Sequence, residues 1–482
     1  MKKLHIALLS LTLAAVLAVG LWSLFDKDPT ESVFENRKLA QRPKFTLSAL
    51  LDGSYISDFE TYYTDTFPGR EKLLKADRSL NKFYYYSGPS EESSMLVIGG
   101  NTGAENGGES LAELQKPQVG RTDTEQTQDT ADPADPDTQT PDPQPQTPAQ
   151  QPETEPPAAD DTPHIQTPDE SEASYAGNVV VVGTRAMEIP TASDDIIVRY
   201  AEAVNNLAAA LGSDVRTISL VTPNGGEFYS PESMHVGLHS QKAMIDLCYS
   251  KLDASVVAVD AYSALAQHAD EYLYFRTDHH WTQLGAYYAY TKFCEATGFE
   301  AVPLDQFQTG AYENFVGSMY TFTSGYPQSE VLKNNPDTLT YYLPIVETHA
   351  KYYADATLQN GVPISVIYTK LTDAATNKYL CFIGGDTPIC VIESSAEGGV
   401  CMVLKESYGN AFVPFLTSHY SKIIVIDPRE FNRDGKPALD LTAFAKEQGV
   451  NDLLVINYPY TVNNVSYINW LNRLVGKDPN WP

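Results

Sequence analysis

The five cysteines of this 482-residue chain (Cys248, Cys294, Cys381, Cys390 and Cys401) include no CxxC pair and no metal-type spacing. An odd number, so scattered, excludes a disulfide framework. Cys381 and Cys401 lie in apolar, strand-like runs where a thiol behaves as a small hydrophobe, so the cysteines read as structural, with room for one optional bridge. Cationic charge is also scarce. Lys and Arg number 33 against 62 Asp and Glu, a net charge of −29. That balance argues against nucleic acid or an anionic lipid surface as a partner. No internal repeat stands out, so a repeat architecture is not indicated.

From about 101 to 176, aromatic and β-branched apolar residues almost vanish, replaced by Pro, Gln, Thr, Asp and Glu, as in DPADPDTQTPDPQPQTPAQQPETEPPAADD. Such a composition buries too little apolar surface to offset the entropy of ordering, so 101–176 reads as a disordered acidic, Pro-rich insert. Its carboxylates lack EF-hand spacing, which argues against a calcium loop. Much of the net charge belongs to this segment and says little about the folded part.

Charge is lacking in one further place. After Lys2 and Lys3, an almost uninterrupted apolar run extends from about Ile6 to Phe25 and ends at Asp26. About 20 such residues span a bilayer, and the preceding lysines favour a cytoplasmic N-terminus. A cleaved signal peptide is the rival, but the run ends without an A-x-A pattern. The expectation is a signal anchor over 1–26, single-pass in the cell membrane, with an extracytoplasmic catalytic domain; cleavage would make the protein secreted.

Residues 30–100 carry Phe59, Tyr62, Tyr63 and Phe67 at helical spacing, a Pro68-Gly69 break, and then Leu73, Leu74 and Leu80. This predicts a helical segment packing on the main domain. Over 177–482, short Val/Ile/Leu runs alternate with helical stretches: Val179–Val182, Thr217–Val221, Val256–Val259, Val400–Leu404, Ile423–Ile426 and Leu453–Ile456. The pattern predicts an α/β fold with a parallel sheet flanked by helices. Alternating Tyr, Thr and Val in LTYYLPIV, KYYADATL, VPISVIY and YLCFIGG predict an antiparallel β insertion at about 335–395.

The densest chemistry is Asp278-His279-His280-Trp281, just before a helical pattern at Leu284, Ala286, Tyr287, Tyr290 and Phe293. Asp278 and His280 are two apart, so in an extended loop both point the same way. The second candidate is Ser407, where the strand Val400–Leu404 turns into a helix, a position that exposes a hydroxyl near free backbone N–H groups. Taken alone, Ser407 reads more readily as a helix cap than as a nucleophile. An activated serine needs a histidine base, and that histidine needs a carboxylate to orient it. Asp278, His280 and Ser407 supply that set. Zinc ligation by the same cluster competes, but a third and fourth ligand are lacking, and no metal or cofactor is called for.

These motifs, with ENRKLAQRPKF, FPGRE, RTDHHWT, FIGGD, ESYGNAFVPFL, HYSKIIVIDPR and VINY, resemble the DHHW proteins of Gram-positive bacteria over most of 30–480, the acidic insert apart. That family is similar to the alginate O-acetylation proteins of the SGNH-hydrolase class. The resemblance implies an SGNH-hydrolase-like sheet, with Ser407 as nucleophile, His280 as base and Asp278 as its acid. It implies an O-acetyltransferase or O-acetylesterase acting on a cell-surface or secreted polysaccharide, served by a membrane-bound O-acyltransferase. The family usually has Asp-Ser-Tyr where this chain has Glu406-Ser407-Tyr408, which alters reach at that position. Arg429, in Asp427-x-Arg429, matches a substrate-contacting arginine, though a structural ion pair is an equal reading. The Ser407 N–H, Asn410 and Gly317 are candidate oxyanion donors, and Trp281 a candidate sugar platform or core residue. A non-catalytic glycan-binding or assembly subunit remains the alternative.

Overall fold

The computed structural model describes residues 162–177, 179–371, 377–433 and 435–477, with 31–32, 37–38, 41–46 and positions 55, 59, 62, 63, 66 and 67. The expected anchor at 1–26 and most of the segments 30–100 and 101–176 lie outside these residues. Phe59, Tyr62 and Tyr63 are helical and Phe67 is not, and the Phe59 and Tyr62 rings lie 5.7 Å apart. Among the described residues, no helix is long and apolar enough to cross a membrane.

The boundary of the acidic insert is corrected by the structure. Residues 162–177 are placed, and Ala173–Ala176 forms strand β1, pairing antiparallel with β2 (Val179–Val182), which pairs with β3 (Arg185–Glu188). The valines of β2, three of them buried, give the small residues of β1 an apolar partner. This three-stranded sheet stands apart from the central one, so Val179–Val182 does not open the parallel sheet as expected.

The central sheet has eight strands, in the order β9-β8-β10-β12-β11-β13-β4-β5. These are β4 (Arg216–Val221), β5 (Val256–Val259), β8 (Thr348–Tyr353), β9 (Val362–Ile364), β10 (Ile389–Ser394), β11 (Val400–Lys405), β12 (Lys422–Ile426) and β13 (Asp452–Asn457). From β12 through β5 neighbouring strands run parallel, and β10, β8 and β9 add antiparallel strands beyond β12. The sheet is therefore mixed, and the expected insertion at 335–395 is mostly an extension of it. Buried Ile389, Cys390, Val391 and Ile392 let β10 sit against β12 with both faces covered. The LTYY strand, β7 (Asp337–Tyr342), pairs instead with β6 (Thr309–Phe315), and YLC lies in a short 3-10 turn, Lys378–Cys381.

Consecutive residues of a strand face opposite ways. All six residues of β13 are buried, so both faces of the sheet are covered. Two packed groups of helices flank it. The first joins α1 (Asp194–Leu211) to α2 (Gln241–Ser250), α6 (Leu441–Gln448) and α7 (Val465–Leu474); the second joins α4 (Gln283–Thr297) to α3 (Ala261–Gln267) and α5 (Gly409–Leu416). Helix α1 buries Ile197, Tyr200, Ala201, Val204, Leu207 and Ala208, a stripe of helical period. All five cysteines are free and buried, so no optional bridge forms.

Candidate active site

The carboxyl ends of the parallel strands converge on one place. Strand β11 ends at Lys405, the chain turns through Glu406-Ser407-Tyr408, and α5 starts at Gly409. A Cβ on Gly409 would lie 2.6 Å from the Lys405 Cβ, so glycine is what lets the helix start this close over its own strand. Ser407 does not cap α5, whose cap position is Tyr408. Its hydroxyl instead meets His280.

His280 belongs to the loop between α3 and α4. Thr282 caps α4 by accepting the Gly285 N–H at 3.2 Å, so Asp278-His279-His280-Trp281 sits just ahead of the first helical turn. Asp337, at the start of β7, fixes the loop from one side. Its carboxylate accepts from Arg276 Nε at 3.0 Å, the Thr277 N–H at 2.8 Å and the Thr277 hydroxyl at 2.7 Å. Trp281 fixes the other end. Its indole donates to the Tyr408 carbonyl at 2.9 Å, while the Tyr408 hydroxyl donates to the His279 carbonyl at 2.5 Å. Two reciprocal hydrogen bonds thus lace the histidine loop to the serine turn.

Asp278 Oδ1 lies 2.6 Å from His280 Nδ1, and His280 Nε2 lies 2.7 Å from Ser407 Oγ. Asp278 Oδ1 also accepts the His280 N–H at 3.0 Å, and Oδ2 accepts the Ser318 N–H at 2.8 Å. Burial alone would raise the Asp278 pKa, but His280, His279 and the Ser318 N–H hold it well below the usual carboxylate range. An ionised carboxylate only accepts, so the Nδ1 proton belongs to His280 and Nε2 is left to accept the serine proton. The Tyr379 ring stacks on His280 at 3.9 Å and 8°, and its hydroxyl donates to the Ser407 carbonyl at 3.2 Å. Such an arrangement can move a proton from serine to imidazole and orient the imidazolium that forms.

His279 turns elsewhere. Its Nδ1 lies 2.5 Å from Ser318 Oγ, which also accepts the His279 N–H at 3.2 Å. Burial and His280 both lower its pKa, so the ring is neutral. The zinc reading has some geometric basis, since Asp278, His279 and His280 gather ligand atoms within 4.8 Å. A cation bound through His280 would have to displace Asp278 or Ser407, because each ring nitrogen is already engaged.

Four sequence candidates have other employments. The Arg429 fork is occupied by Asp427 (Nε to Oδ1 at 2.8 Å, Nη2 to Oδ2 at 2.6 Å) and reaches Asp386 at 2.6 Å. The structural ion pair is therefore realised. Asn410 is buried and its amide donates to Asp386 at 3.0 Å. The Gly317 N–H is spent on Thr277 Oγ1 at 3.1 Å; the residue matters because a Cβ there would lie 2.3 Å from Asp278 Cβ and Oδ2. Trp281 is wholly buried, so it is a core residue and no sugar platform.

Sequence reasoning missed the groups behind the serine. Lys405, buried to 1 % side-chain exposure, pairs with Asp386 at 2.6 Å. Burial opposes ionisation of Asp386, but Lys405 and Arg429 hold its pKa well below the ordinary value. Asp386 is delivered by the turn Ile383-Gly384-Gly385, all three at positive φ (49°, 77° and 87°), which is unusual for a β-branched residue. The glycine pair ahead of an acid in FIGGD was the available signal. Glu406 is buried too. Its Oε2 accepts the Tyr408 N–H at 2.9 Å and lies 3.5 Å from Ser407 Oγ, while Oε1 has no hydrogen-bond partner among the described residues. Burial pushes its pKa up to about 7, against the Tyr408 N–H and Arg429.

Comparison with known proteins gives the following. The family model described as DHHW protein matches residues 35–88 and 158–426, about two thirds of the chain. A crystal structure of a DHHW family protein from Eubacterium siraeum is 31% identical at a TM-score of 0.56, covering 64% of this chain and 98% of that one. PatB1 of Bacillus cereus, in a structure with a sulfonyl adduct, is 18% identical with a TM-score of 0.48, over 60% of this chain and 98% of its own. The O-acetyltransferase domain of Pseudomonas putida AlgJ is 16% identical with a TM-score of 0.34, over 62% and 96%. No curated protein matches by sequence.

Proposed function

The chain belongs to the DHHW family, and on that premise we propose that it is an extracytoplasmic serine acyltransferase or esterase acting on O-acetyl groups of a polysaccharide. One observation carries this reading: the continuous path from Asp278 through His280 to Ser407, at 2.6 and 2.7 Å. The acetyl group and the polysaccharide come from the motif resemblance set out above.

In the first half-reaction Ser407 Oγ bonds to the acyl carbon while its proton passes to His280 Nε2. Collapse of the tetrahedral intermediate expels the donor's oxygen, which takes that proton back. In the second half, a sugar hydroxyl or water gives its proton to His280 and attacks the acyl-serine, and the departing Ser407 oxygen takes that proton back from His280. Asp278 holds the imidazole in register and offsets its charge throughout. The Ser407 N–H, at a helix start, is the proposed oxyanion donor. A membrane-bound acyltransferase is the proposed acetyl source, and a single N-terminal span the proposed tether.

The test is covalent. The protein is treated with a serine-reactive phosphonate and with 4-nitrophenyl acetate, and its intact mass and turnover are followed. One adduct on Ser407, lost in Ser407→Ala, with turnover down on the order of 10³-fold or more in Ser407→Ala and His280→Ala, is expected. Undiminished labelling or turnover in Ser407→Ala overturns Ser407 as the nucleophile, and a parent protein that neither reagent labels, with glycan binding kept in Ser407→Ala, overturns the enzyme reading and leaves a glycan-binding subunit.

A further inference from the structure

Glu406 Oε1, one residue before Ser407, is buried and without a hydrogen-bond partner among the described residues. Its sister Oε2 is held by the Tyr408 N–H at 2.9 Å, and that same oxygen looks at Ser407 Oγ across 3.5 Å. A carboxylate in this position would leave a buried charged oxygen with no donor, the costliest state for such a group. A neutral acid, with its proton on Oε1, keeps Oε2 free to accept from Tyr408.

The charges around it point the same way. Lys405 and Arg429 are the cations of the cluster, and Asp386 and Asp427 are the anions that pair with them. Two positive and two negative charges already balance. Ionising Glu406 would add an uncompensated negative charge beside the serine. Lys405 lies on β11, Tyr408 on its own turn, Asp386 and Tyr379 come from the segment before β10, and Asp427 and Arg429 follow β12. His280 comes from the loop before α4, Tyr200 from α1, Tyr458 follows β13 and Tyr467 lies on α7. Burial raises the hydroxyl pKa values of Tyr200, Tyr379, Tyr408, Tyr458 and Tyr467 well above the ordinary value, so these rings stay neutral.

We propose that Glu406 is a positioning residue for Ser407: as the neutral acid it anchors the serine turn through the Tyr408 N–H and leaves the serine proton to His280, and as the carboxylate it draws that proton toward itself. This rests on the triad reading above. A serine hydroxyl has one proton and two rival acceptors. His280 Nε2 is nearer, at 2.7 Å, and wins while Glu406 is uncharged. A charged acceptor makes the stronger hydrogen bond, so ionisation turns the hydroxyl away from its base, and Glu406 releases its own proton to solvent. Because burial pushes its pKa up to about 7, the change falls near neutral pH. This chain carries Glu at the position where the resemblance leads one to expect Asp.

The test is the pH profile of kcat/KM for an aryl acetate between about pH 5 and 9, on the full chain, beside the rate of phosphonate labelling. The parent protein is expected to lose both rates above about pH 7, approaching tenfold per pH unit. In Glu406→Gln, which keeps an acceptor for Tyr408 but cannot ionise, that fall disappears from both readouts. In Glu406→Asp, a shorter and stronger acid, the fall begins at lower pH. Thermal melting of each variant reports folding, and if Glu406→Gln does not fold, the shift in Glu406→Asp decides. An unchanged alkaline fall in either folded variant overturns the role of Glu406 alone. Labelling that survives Ser407→Ala overturns the triad reading and this inference with it.

Discussion

Replacing Gly317 by alanine adds one methyl group at the most crowded point behind the base. The new Cβ would sit 2.3 Å from Asp278 Cβ and Oδ2 and 2.7 Å from Cγ, where ordinary contacts begin at 3.4 Å. Something must move by about 1 Å, and the turn carrying Gly317 is pinned. Its N–H is held by Thr277 Oγ1 at 3.1 Å, and the next N–H, of Ser318, by Asp278 Oδ2 at 2.8 Å. Thr277 is tied in turn to Asp337. The carboxylate is therefore the part that yields, and its 2.6 Å contact with His280 Nδ1 is the contact that lengthens. A 1 Å misplacement of a catalytic constellation costs about 10²-fold in rate, and overpacking of this kind costs about 1–3 kcal/mol of stability. We expect kcat for an aryl acetate to fall about 100-fold with KM little changed, and the urea midpoint to drop accordingly. Gly298→Ala is the control: it sits at φ +83° with nothing within 4 Å of the new Cβ, so it strains the end of α4 without touching Asp278. A Gly317→Ala enzyme within threefold of the parent in kcat refutes the claim that Asp278 sets the rate through its position.

Asp386→Ala leaves Lys405 buried without its carboxylate, a loss of about 3–5 kcal/mol by urea unfolding; less than about 1 kcal/mol would show the cluster to be dispensable. Asp278 and Asp386 both have folded pKa values below their unfolded ones. Their stabilisation is therefore complete above about pH 4 and is lost as pH falls through the folded values; urea titrations at stepped pH should show the acid loss reduced in Asp386→Asn. Trp281→Phe strips the Tyr408 carbonyl of its buried donor and should cost about 1–3 kcal/mol, with activity falling too because the two loops lose a tie. Equal stability in Trp281→Phe would put the lacing elsewhere.

The site was legible wherever local geometry decides it. Alternation in an extended loop set Asp278 and His280 on one side, and a strand running into a helix marked Ser407. The parallel strands were equally readable, because β11, β12 and β13 are short apolar runs buried on both faces. What stayed hidden depends on pairing across long sequence separations. Alternation in KYYADATL and VPISVIY announces strands but not which edge they join, and only the register with β10 and β12 shows that they widen the central sheet. Arg429 illustrates the same limit, since its partner Asp386 lies 43 residues away and only the fold brings them together. Gly317 is a third case: the requirement for glycine comes from Asp278, 39 positions earlier in the chain, not from its own turn.

The order of strands in the sheet has a consequence for how the protein is made. Strand β13, the last strand among the described residues, lies between β11, which leads into the serine, and β4, which sits beside β5 and the histidine loop. Until β13 threads into that gap, the half carrying the nucleophile and the half carrying its base share no ladder. A chain in which β13 has not yet paired therefore lacks the ladder that holds these two halves in register, and the Ser407 hydroxyl is set against His280 only once that strand joins them.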